Sequence, residues 1–305
     1  MNYRIKALTE LTLNGDMFPE TRKTDFDRKD LLLPKMSREA KRLCEYILNQ
    51  EPVITRYSKM TGFFRFDGSV VGDAFNRSGH KYTSEVMAQF YLKTVDNLST
   101  MEWQHATADY ELLLKRGIRG IIEDIDKSME SHTEPEETEF LEALKLTAKT
   151  MILWAKKCSL RAKEYAEKEE NPEYRENLLT LSSALRHVPE HAPRSFYEAV
   201  LSIYICFGAN PDSAGTLDRY LSWFYEEDMR RGVMTYDEAK EYLQELFLMF
   251  QTVTPPKSAN FKRGGQSHFC IGGYLPDGSD GFCETSRLIV EALMDLPTFI
   301  PQITF

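Results

Sequence analysis

The sequence lacks three features that would each assign it to a specialised class of protein. It has no window of about eighteen uninterrupted apolar residues, which a membrane-spanning helix requires. Residues 1–20 contain no apolar core followed by a small-residue cleavage site, so export is not predicted. Lys/Arg-rich runs are missing and the formal net charge is −9, which gives no long-range attraction to phosphate backbones. We therefore expect neither a membrane nor a nucleic-acid partner.

Cysteine is scarce, and the five cysteines form no Cys-x-x-Cys pair. This spacing argues against a zinc site and against a disulfide framework. We expect no bound metal, and reduced thiols that pack as small hydrophobic side chains in a cytoplasmic protein. The five are Cys44, Cys158, Cys206, Cys270 and Cys283.

The 305 residues are 42% hydrophobic and 12% aromatic, which supplies apolar material for a substantial core. The length allows one large domain or two ordinary ones. No internal repeat or low-complexity linker separates two parts of the chain, so we place no domain boundary inside it. The composition predicts a soluble, globular protein.

Apolar residues repeat at three- and four-residue spacing through much of the chain, which is typical of amphipathic helices. This pattern predicts helices over 37–51, 107–130, 135–170 and 282–295. Further helices are expected to begin at Asn171-Pro172, at Ala192-Pro193 and at Thr235, where Glu238 completes a capping box. Gly232 is expected to close the preceding helix in a left-handed conformation.

Extended and irregular segments interrupt the helical pattern in three places. Residues 61–80 are rich in Gly, Asp and aromatic side chains, which favours irregular structure. The segment HFC at 268–270 and the segment FIPQITF at 299–305 predict short strands. The chain is therefore predicted to be helix-rich with a few strands.

Three local patterns have some features of a chemical site, but each favours a structural role. His187 and His191 have the spacing of a metal pair on a helix, but Pro189 and Pro193 make a regular helix there improbable. The segment GGQSHFCIGG lacks the Lys-Ser/Thr ending of a phosphate loop and is expected to form a turn. Adjacent carboxylates at 226–228 are followed by Arg230 and Arg231, which favours a solvated helix face.

An ordered set of motifs over about 100–305 resembles the glycyl radical enzymes, the superfamily of pyruvate formate-lyase. Its main stretch is HVPEHAPRSFYEAV followed by SAGTLDRY and by YEEDMRRG. Upstream, His105, Asp109 and Tyr110 match the family's His-x-x-x-Asp-Tyr segment, and downstream IGGYLPDGSDG matches its glycine-rich turn. The matching residues of the main stretch are Val188, Pro189, Pro193, Phe196, Tyr197, Glu198, Ala199, Gly215, Asp218, Tyr220, Tyr225, Asp228 and Gly232.

Two departures from the family pattern lie in the main stretch. The family's Gly-Arg is Gly215-Thr216 here, and its Asp-Gln is Asp218-Arg219. Both changes fall near the segment that the resemblance places beside the substrate, so they leave the particular substrate open.

The resemblance implies an α/β, helix-rich fold, namely the N-terminal half of a ten-stranded α/β barrel wrapped by helices. Residues 1–305 would form a partial domain of the pyruvate formate-lyase type. The family's radical cysteine and glycine lie beyond the matched segments, and the sequence has no Arg-Val-x-Gly-aromatic motif. We therefore expect a truncated or split part of a longer enzyme, with no catalytic residue in this chain and no activity on its own.

The resemblance also implies a mechanism and partners. A glycyl radical, installed by a radical S-adenosylmethionine activase, would lead to hydrogen-atom abstraction from a small polar metabolite during anaerobic metabolism. The whole enzyme would be a lyase, dehydratase or transferase, and a homodimer. Substrate-binding residues are expected at His105, Asp109, Ser213 and Asp218. The alternative is a non-catalytic module that docks to a partner carrying the catalytic half.

Overall fold

The computed structural model of the chain describes residues 1–17, 27–61, 107–208, 213–252, 268–297 and 301–305. Helices make up most of this part of the chain. They are α1 Tyr3–Asn14, α2 Lys35–Asn49, α3 Tyr110–Met129, α4 Pro135–Lys168, α5 Pro172–Leu185, α6 Phe196–Phe207, α7 Leu217–Arg231, α8 Tyr236–Gln251 and α9 Glu284–Met294. A short 3-10 helix covers Arg28–Leu32, and the strands are β1 Ser213–Thr216, β2 His268–Cys270 and β3 Ile303–Thr304.

The predicted helix ends agree with the structure at three of four positions. The side chain of Asn171 accepts hydrogen bonds from the first backbone N–H groups of α5, and Thr235 with Glu238 forms the capping box of α8. Gly232 closes α7 with φ 65°. The prediction that a helix begins at Pro193 is wrong, because the hydroxyl of Ser195 accepts from Glu198 N and starts α6 at Phe196.

The long helix α4 organises the helical layer. It packs against α2, α3 and α5 along its length. Its fully buried residues include Trp154 and Cys158, and Ser159 donates a hydrogen bond of 2.6 Å to the carbonyl of Ser182 in α5. The prediction of a helix over 135–170 is confirmed, and the predicted helix over 37–51 corresponds to α2.

A buried ion pair joins the first helix to the core. Glu245 of α8 is fully buried and accepts hydrogen bonds from the backbone N–H groups of Lys59 and Met60, at 2.8 and 2.7 Å. Its other oxygen accepts from Arg4 of α1 at 2.5 Å. The carboxylate is thus paired and hydrogen-bonded, as a buried charge requires.

The three strands form a parallel sheet in the order β1-β2-β3. Ser213 pairs with His268, and Phe269 pairs with Ile303. Thr107 extends the sheet through an isolated parallel bridge to Ser213. The strands predicted at 268–270 and near the end of the chain are confirmed for the described residues, whereas β1 was not predicted.

Residues 61–80, which the sequence predicts to be irregular, lie almost wholly outside the described residues. Among the helices that the structure does describe, none is both long enough and apolar enough to cross a membrane.

Candidate functional site

The small sheet has one face against the helices and one face turned away from them. Ala214 and Phe269 are fully buried, and Phe269 stacks on Phe247 of α8 with ring centroids 5.7 Å apart. Because side chains alternate along a strand, their neighbours Ser213 and His268 point to the opposite face. Both are only partly buried there.

This outward face, which we call the open face, carries polar side chains in two rows. The first row runs across neighbouring strands through Thr107, Ser213 and His268. The second row contains Cys270 of β2 and Thr304 of β3, which pair directly and are both exposed. The open face therefore presents hydroxyl, imidazole and thiol groups beside one another, and all of them can form hydrogen bonds.

Tyr110 fixes the first turn of α3 against β1. It is fully buried, and its hydroxyl lies 3.5 Å from the carbonyl oxygen of Ser213. Burial holds the pKa of this phenol well above its ordinary value, so the hydroxyl keeps its proton. The structure thus brings the His-x-x-x-Asp-Tyr segment and the Ser-Ala-Gly segment together, although they are far apart in sequence.

The predicted site residues occupy different places. Ser213 lies on the open face, and its hydroxyl accepts a hydrogen bond from Gly215 N at 3.1 Å. Asp109 is exposed and caps α3, accepting from Leu112 N at 2.9 Å. His105 lies outside the described residues, two positions before Thr107 in the sequence.

Asp218 is fully buried at the start of α7, where protein groups engage both of its oxygens. One oxygen accepts from Gly272 N at 2.7 Å and from the hydroxyl of Ser286 at 2.5 Å. The other accepts from Arg219 N at 2.8 Å. Asp218 therefore ties α7 to the glycine-rich turn and to α9, and its contact with substrate stays a prediction.

Arg219 is one of the two departures from the family pattern, and it binds the same glycine-rich turn. Its guanidinium donates hydrogen bonds to the carbonyl oxygens of Gly272 and Tyr274, at 2.8 and 2.9 Å. Together, Asp218 and Arg219 hold an N–H and two carbonyl groups of the turn that follows β2. These hydrogen bonds fix the position of that turn relative to the start of α7.

The sequence alone does not predict a site role for His268 or Thr107. The sequence predicts a strand at HFC, because a Phe between two polar residues has the alternation of a half-exposed strand. The sequence does not predict that His268 pairs with Ser213. Parallel strands are joined by long connections, so no local pattern indicates which residues of the two strands pair.

The cysteines differ in environment, and all five are free thiols. Cys44 and Cys158 are buried, and burial raises the pKa of Cys206 to about 12. Cys283 lies at the start of α9, with its sulfur 3.2 Å from the hydroxyl oxygen of Ser222. Cys270 is exposed on the open face.

The histidine pair and the carboxylate run have structural roles. His187 and His191 lie in a turn with ring centroids 5.2 Å apart, and His187 Nε2 donates to the carbonyl of Ala192 at 3.0 Å. Among the described residues, no group of three or more His, Cys, Asp or Glu side chains is placed to hold a metal ion. The prediction of a solvated face at 226–228 is wrong for Asp228, which is buried and accepts from Phe196 N at 2.7 Å.

A concave region lies between α3 and α7. It has a volume of about 680 Å³ and includes Lys115, Tyr220 and Trp223 in its lining. Trp223 is 65% exposed. We call this region the α3–α7 groove.

Comparison with known proteins gives a consistent result. Residues 66–305 match the family described as pyruvate formate lyase-like. The chain is 31% identical over 250 residues to an isethionate sulfite-lyase of Nitratidesulfovibrio vulgaris, a match that covers 73% of this chain and 30% of that protein. It is 26% identical over 176 residues to a trans-4-hydroxy-L-proline dehydratase of Clostridioides difficile, covering 53% of this chain and 22% of that one.

Solved structures share the fold. A glycyl radical enzyme from Archaeoglobus fulgidus matches with a TM-score of 0.76 and 20% identity, over 98% of this chain and 47% of that chain. A Roseburia inulinivorans structure described for 1,2-propanediol dehydration matches with a TM-score of 0.78 and 19% identity, over 99% and 47%. The chain thus spans about half the length of these structures. The predicted fold class, a helix-rich part of this barrel type, is confirmed.

Proposed function

Because the chain belongs to the pyruvate formate lyase-like family, we propose that it is part of a glycyl radical enzyme that acts on a small polar metabolite. The resemblance read from the sequence motifs is confirmed at the level of the family. The names of the relatives supply candidate substrates, namely isethionate, trans-4-hydroxy-L-proline and 1,2-propanediol. All are small and hydroxylated.

In this proposal, residues 1–305 form a partial domain that contributes helical shell and substrate wall. The radical glycine and cysteine belong to the remainder of the whole protein, which would be cytoplasmic and homodimeric. The radical, installed by a radical S-adenosylmethionine activase, supplies hydrogen-atom abstraction from the substrate. The described residues of this chain bind and orient that substrate, and the 305-residue chain alone is expected to be inactive.

The open face is the observation that carries this proposal. It presents Ser213 between Thr107 and His268, on the face of the sheet opposite the buried side chains of Ala214 and Phe269. Tyr110 joins the two segments that the family resemblance places beside the substrate. Ser213 would bind a substrate hydroxyl, and Asp218 would hold the strand and turn in place. The family resemblance adds His105 and Asp109 to the proposed substrate-binding residues.

The test uses the whole protein, activated without oxygen by a radical S-adenosylmethionine activase. Electron paramagnetic resonance should detect a glycyl radical, and one of the three candidate metabolites should be consumed. Ser213→Ala should leave the radical yield unchanged and lower kcat/KM at least about tenfold, which corresponds to one lost hydrogen bond of about 1.4 kcal/mol. The exposed Ser131→Ala is the matched control and should behave as wild type.

A correctly folded whole protein that forms no radical under these conditions would contradict the proposal. That result would favour the docking-module alternative instead. If the radical forms but Ser213→Ala turns over every substrate normally, the enzyme class stands and the open face is not its substrate wall.

A further inference from the structure

We propose that the α3–α7 groove is a binding site for a small planar aromatic carboxylate and is separate from the open face. The observation behind this inference is that an exposed guanidinium, Arg219, and an exposed indole, Trp223, line the same groove. The inference goes beyond the proposed function and does not depend on it, since binding to the groove requires no radical.

The groove has the size and the partly apolar lining of a small-molecule site. Its volume of about 680 Å³ falls within the range of roughly 300–1,000 Å³ that is typical of ligand pockets. Leu114 of α3, Pro193 and Phe224 of α7 supply apolar surface. Leu114 and Phe224 are themselves buried, so the core holds them in place before a ligand arrives.

Arg219 supplies a positive charge that protein groups position but do not neutralise. Its Nη2 atom donates to the carbonyl oxygens of Gly272 and Tyr274, at 2.8 and 2.9 Å. Both acceptors are uncharged, and no carboxylate of the residues that the structure describes forms an ion pair with Arg219. The guanidinium has further N–H donors on Nε and Nη1. A carboxylate is a suitable acceptor for them, because hydrogen bonds between ionised groups are stronger than neutral ones.

The other two charged side chains of the groove neutralise each other. Glu111 and Lys115 line it from α3, and Lys115 Nζ donates to the carboxylate of Glu111 at 2.5 Å. Arg219 therefore leaves the lining with a net positive charge. An anion would be attracted to this groove, and a cation would be repelled.

Trp223 offers a surface for an aromatic ring. Its side chain is 65% exposed, and its ring contacts Phe224 in a T-shaped arrangement with centroids 4.9 Å apart. Arg219 and Trp223 are four residues apart on α7, so they share a helix face with Cβ atoms about 5–6 Å apart. One small molecule can thus place its carboxylate at Arg219 and its ring against Trp223, where aromatic contact adds to apolar burial.

Both departures from the family pattern line this groove. Thr216 stands where the pattern has arginine, and Arg219 stands where it has glutamine. The first change replaces a long cationic side chain with a short neutral one, and the second adds a charge three residues further along. The shape and charge of the groove are therefore particular to this chain and do not follow from the family pattern.

The first test measures the binding of benzoate to the whole protein, without activation, by ligand-observed nuclear magnetic resonance. The wild type should bind benzoate at least about tenfold more tightly than benzamide, because the uncharged amide loses the charge-assisted hydrogen bond. Cyclohexanecarboxylate, which keeps the charge but has no planar ring, should also bind more weakly than benzoate. Saturating 1,2-propanediol should not displace benzoate, since the open face is a separate site.

Two variants locate the site. Arg219→Gln keeps an amide donor for the glycine-rich turn, and it should abolish the preference for benzoate while benzamide still binds. Trp223→Leu should weaken the binding of both ligands by about fivefold. The matched controls Arg230→Gln and Phe140→Leu change exposed side chains outside the groove lining and should behave as wild type.

The outcomes separate this inference from the proposed function. Equal binding of benzoate and benzamide by the wild type, displacement of benzoate by the diol, or an unchanged preference in Arg219→Gln would each overturn the groove site. Circular dichroism verifies that each variant is folded. If Arg219→Gln loses both ligands, an unchanged benzoate affinity in Trp223→Leu overturns the site and a weakened one supports it. Absence of a glycyl radical after activation removes the proposed function and leaves these binding results unaffected.

Discussion

Helix α3 has a kink at Gly117, and both the backbone conformation and the close packing at this position require a residue without a side chain. Its φ of 66° and ψ of 173° lie in a region that is essentially restricted to glycine. The N–H groups of Ile118 and Arg119, released by this kink, donate to the carbonyl oxygens of Pro189 and Glu190, at 2.8 and 2.9 Å. The kink therefore fastens α3 to the turn that precedes α6.

Gly117→Ala should lower the free energy of unfolding by about 3 kcal/mol, because it combines backbone strain with overpacking. An added Cβ would lie 2.5 Å from the carbonyl carbon of His191 and 2.6 Å from the carbonyl oxygen of Glu190. Chemical denaturation measures the change. Gly232→Ala is the matched control, since Gly232 has φ 65° but no atom within 4 Å of its Cβ position.

The two variants differ in backbone region as well as in space, because Gly232 has ψ 23° and Gly117 has ψ 173°. Gly232→Ala should cost only about 1 kcal/mol, the penalty for a left-handed residue with a side chain. Equal losses in the two variants would show that neither the close approach of the turn to α3 nor the glycine-restricted backbone of Gly117 adds to that penalty.

At the scale of elements, Glu190 connects the same turn to two helices. It is buried, and its carboxylate pairs with Arg119 of α3 and with Lys156 of α4, the latter at 2.6 Å. Burial would raise the pKa of Glu190, but the hydrogen bonds and charges of Lys156 and Arg119 outweigh it and hold the pKa below the ordinary value of 4.5. The ionised form therefore stabilises the folded state.

The stability from this pair should depend on pH in a defined direction. A carboxyl group with a lowered pKa contributes fully above its unfolded value, near 4.5, and the contribution is lost as pH falls through the folded pKa. Glu190→Gln should cost about 1 kcal/mol at neutral pH, since both cations are about half exposed. Below the folded pKa, the variant and the wild type should converge.

Denaturation curves measured from pH 7 down to the acid limb test this prediction. Glu227→Gln is the control, because Glu227 pairs with Arg230 on an exposed helix face and should give no measurable change. A pH-independent difference between Glu190→Gln and wild type would show that the effect is packing and not charge.

The elements that the sequence predicted are those whose signal is local. The start of α5 at Asn171 and the capping box of α8 at Thr235 each depend on residues within one helical turn. The sequence does not predict β1, because Ser-Ala-Gly-Thr is short, has no alternation of β-branched residues, and pairs with residues that lie far away in the sequence, namely Thr107 and strand β2. The kink at Gly117 was missed because the apolar period continues through it.

The contrast between local and long-range signals also applies to the residues of the candidate site. Ser213 was identified through family resemblance, which carries information on long-range structure. The polar bonds of Asp218 to Gly272 and Ser286 depend on three segments meeting in space, which no single stretch of sequence reveals.

At the scale of the whole molecule, two regions are candidates for the substrate-binding site. The open face is lined by the strand residues around Ser213 and His268, and the α3–α7 groove is lined by residues such as Trp223. The groove is also lined by residues of family-matched segments, among them Pro193, Thr216 and Tyr220. We expect substrate at the open face because Ser213 lies there, in the segment that the resemblance places beside the substrate.

The most direct test of this central claim is a crystal structure of the whole protein with 1,2-propanediol bound. We predict ligand density within hydrogen-bonding distance of the Ser213 hydroxyl, on the side of the sheet opposite Phe269. Density confined to the α3–α7 groove, with the open face filled by protein side chains or facing bulk solvent, would contradict the account.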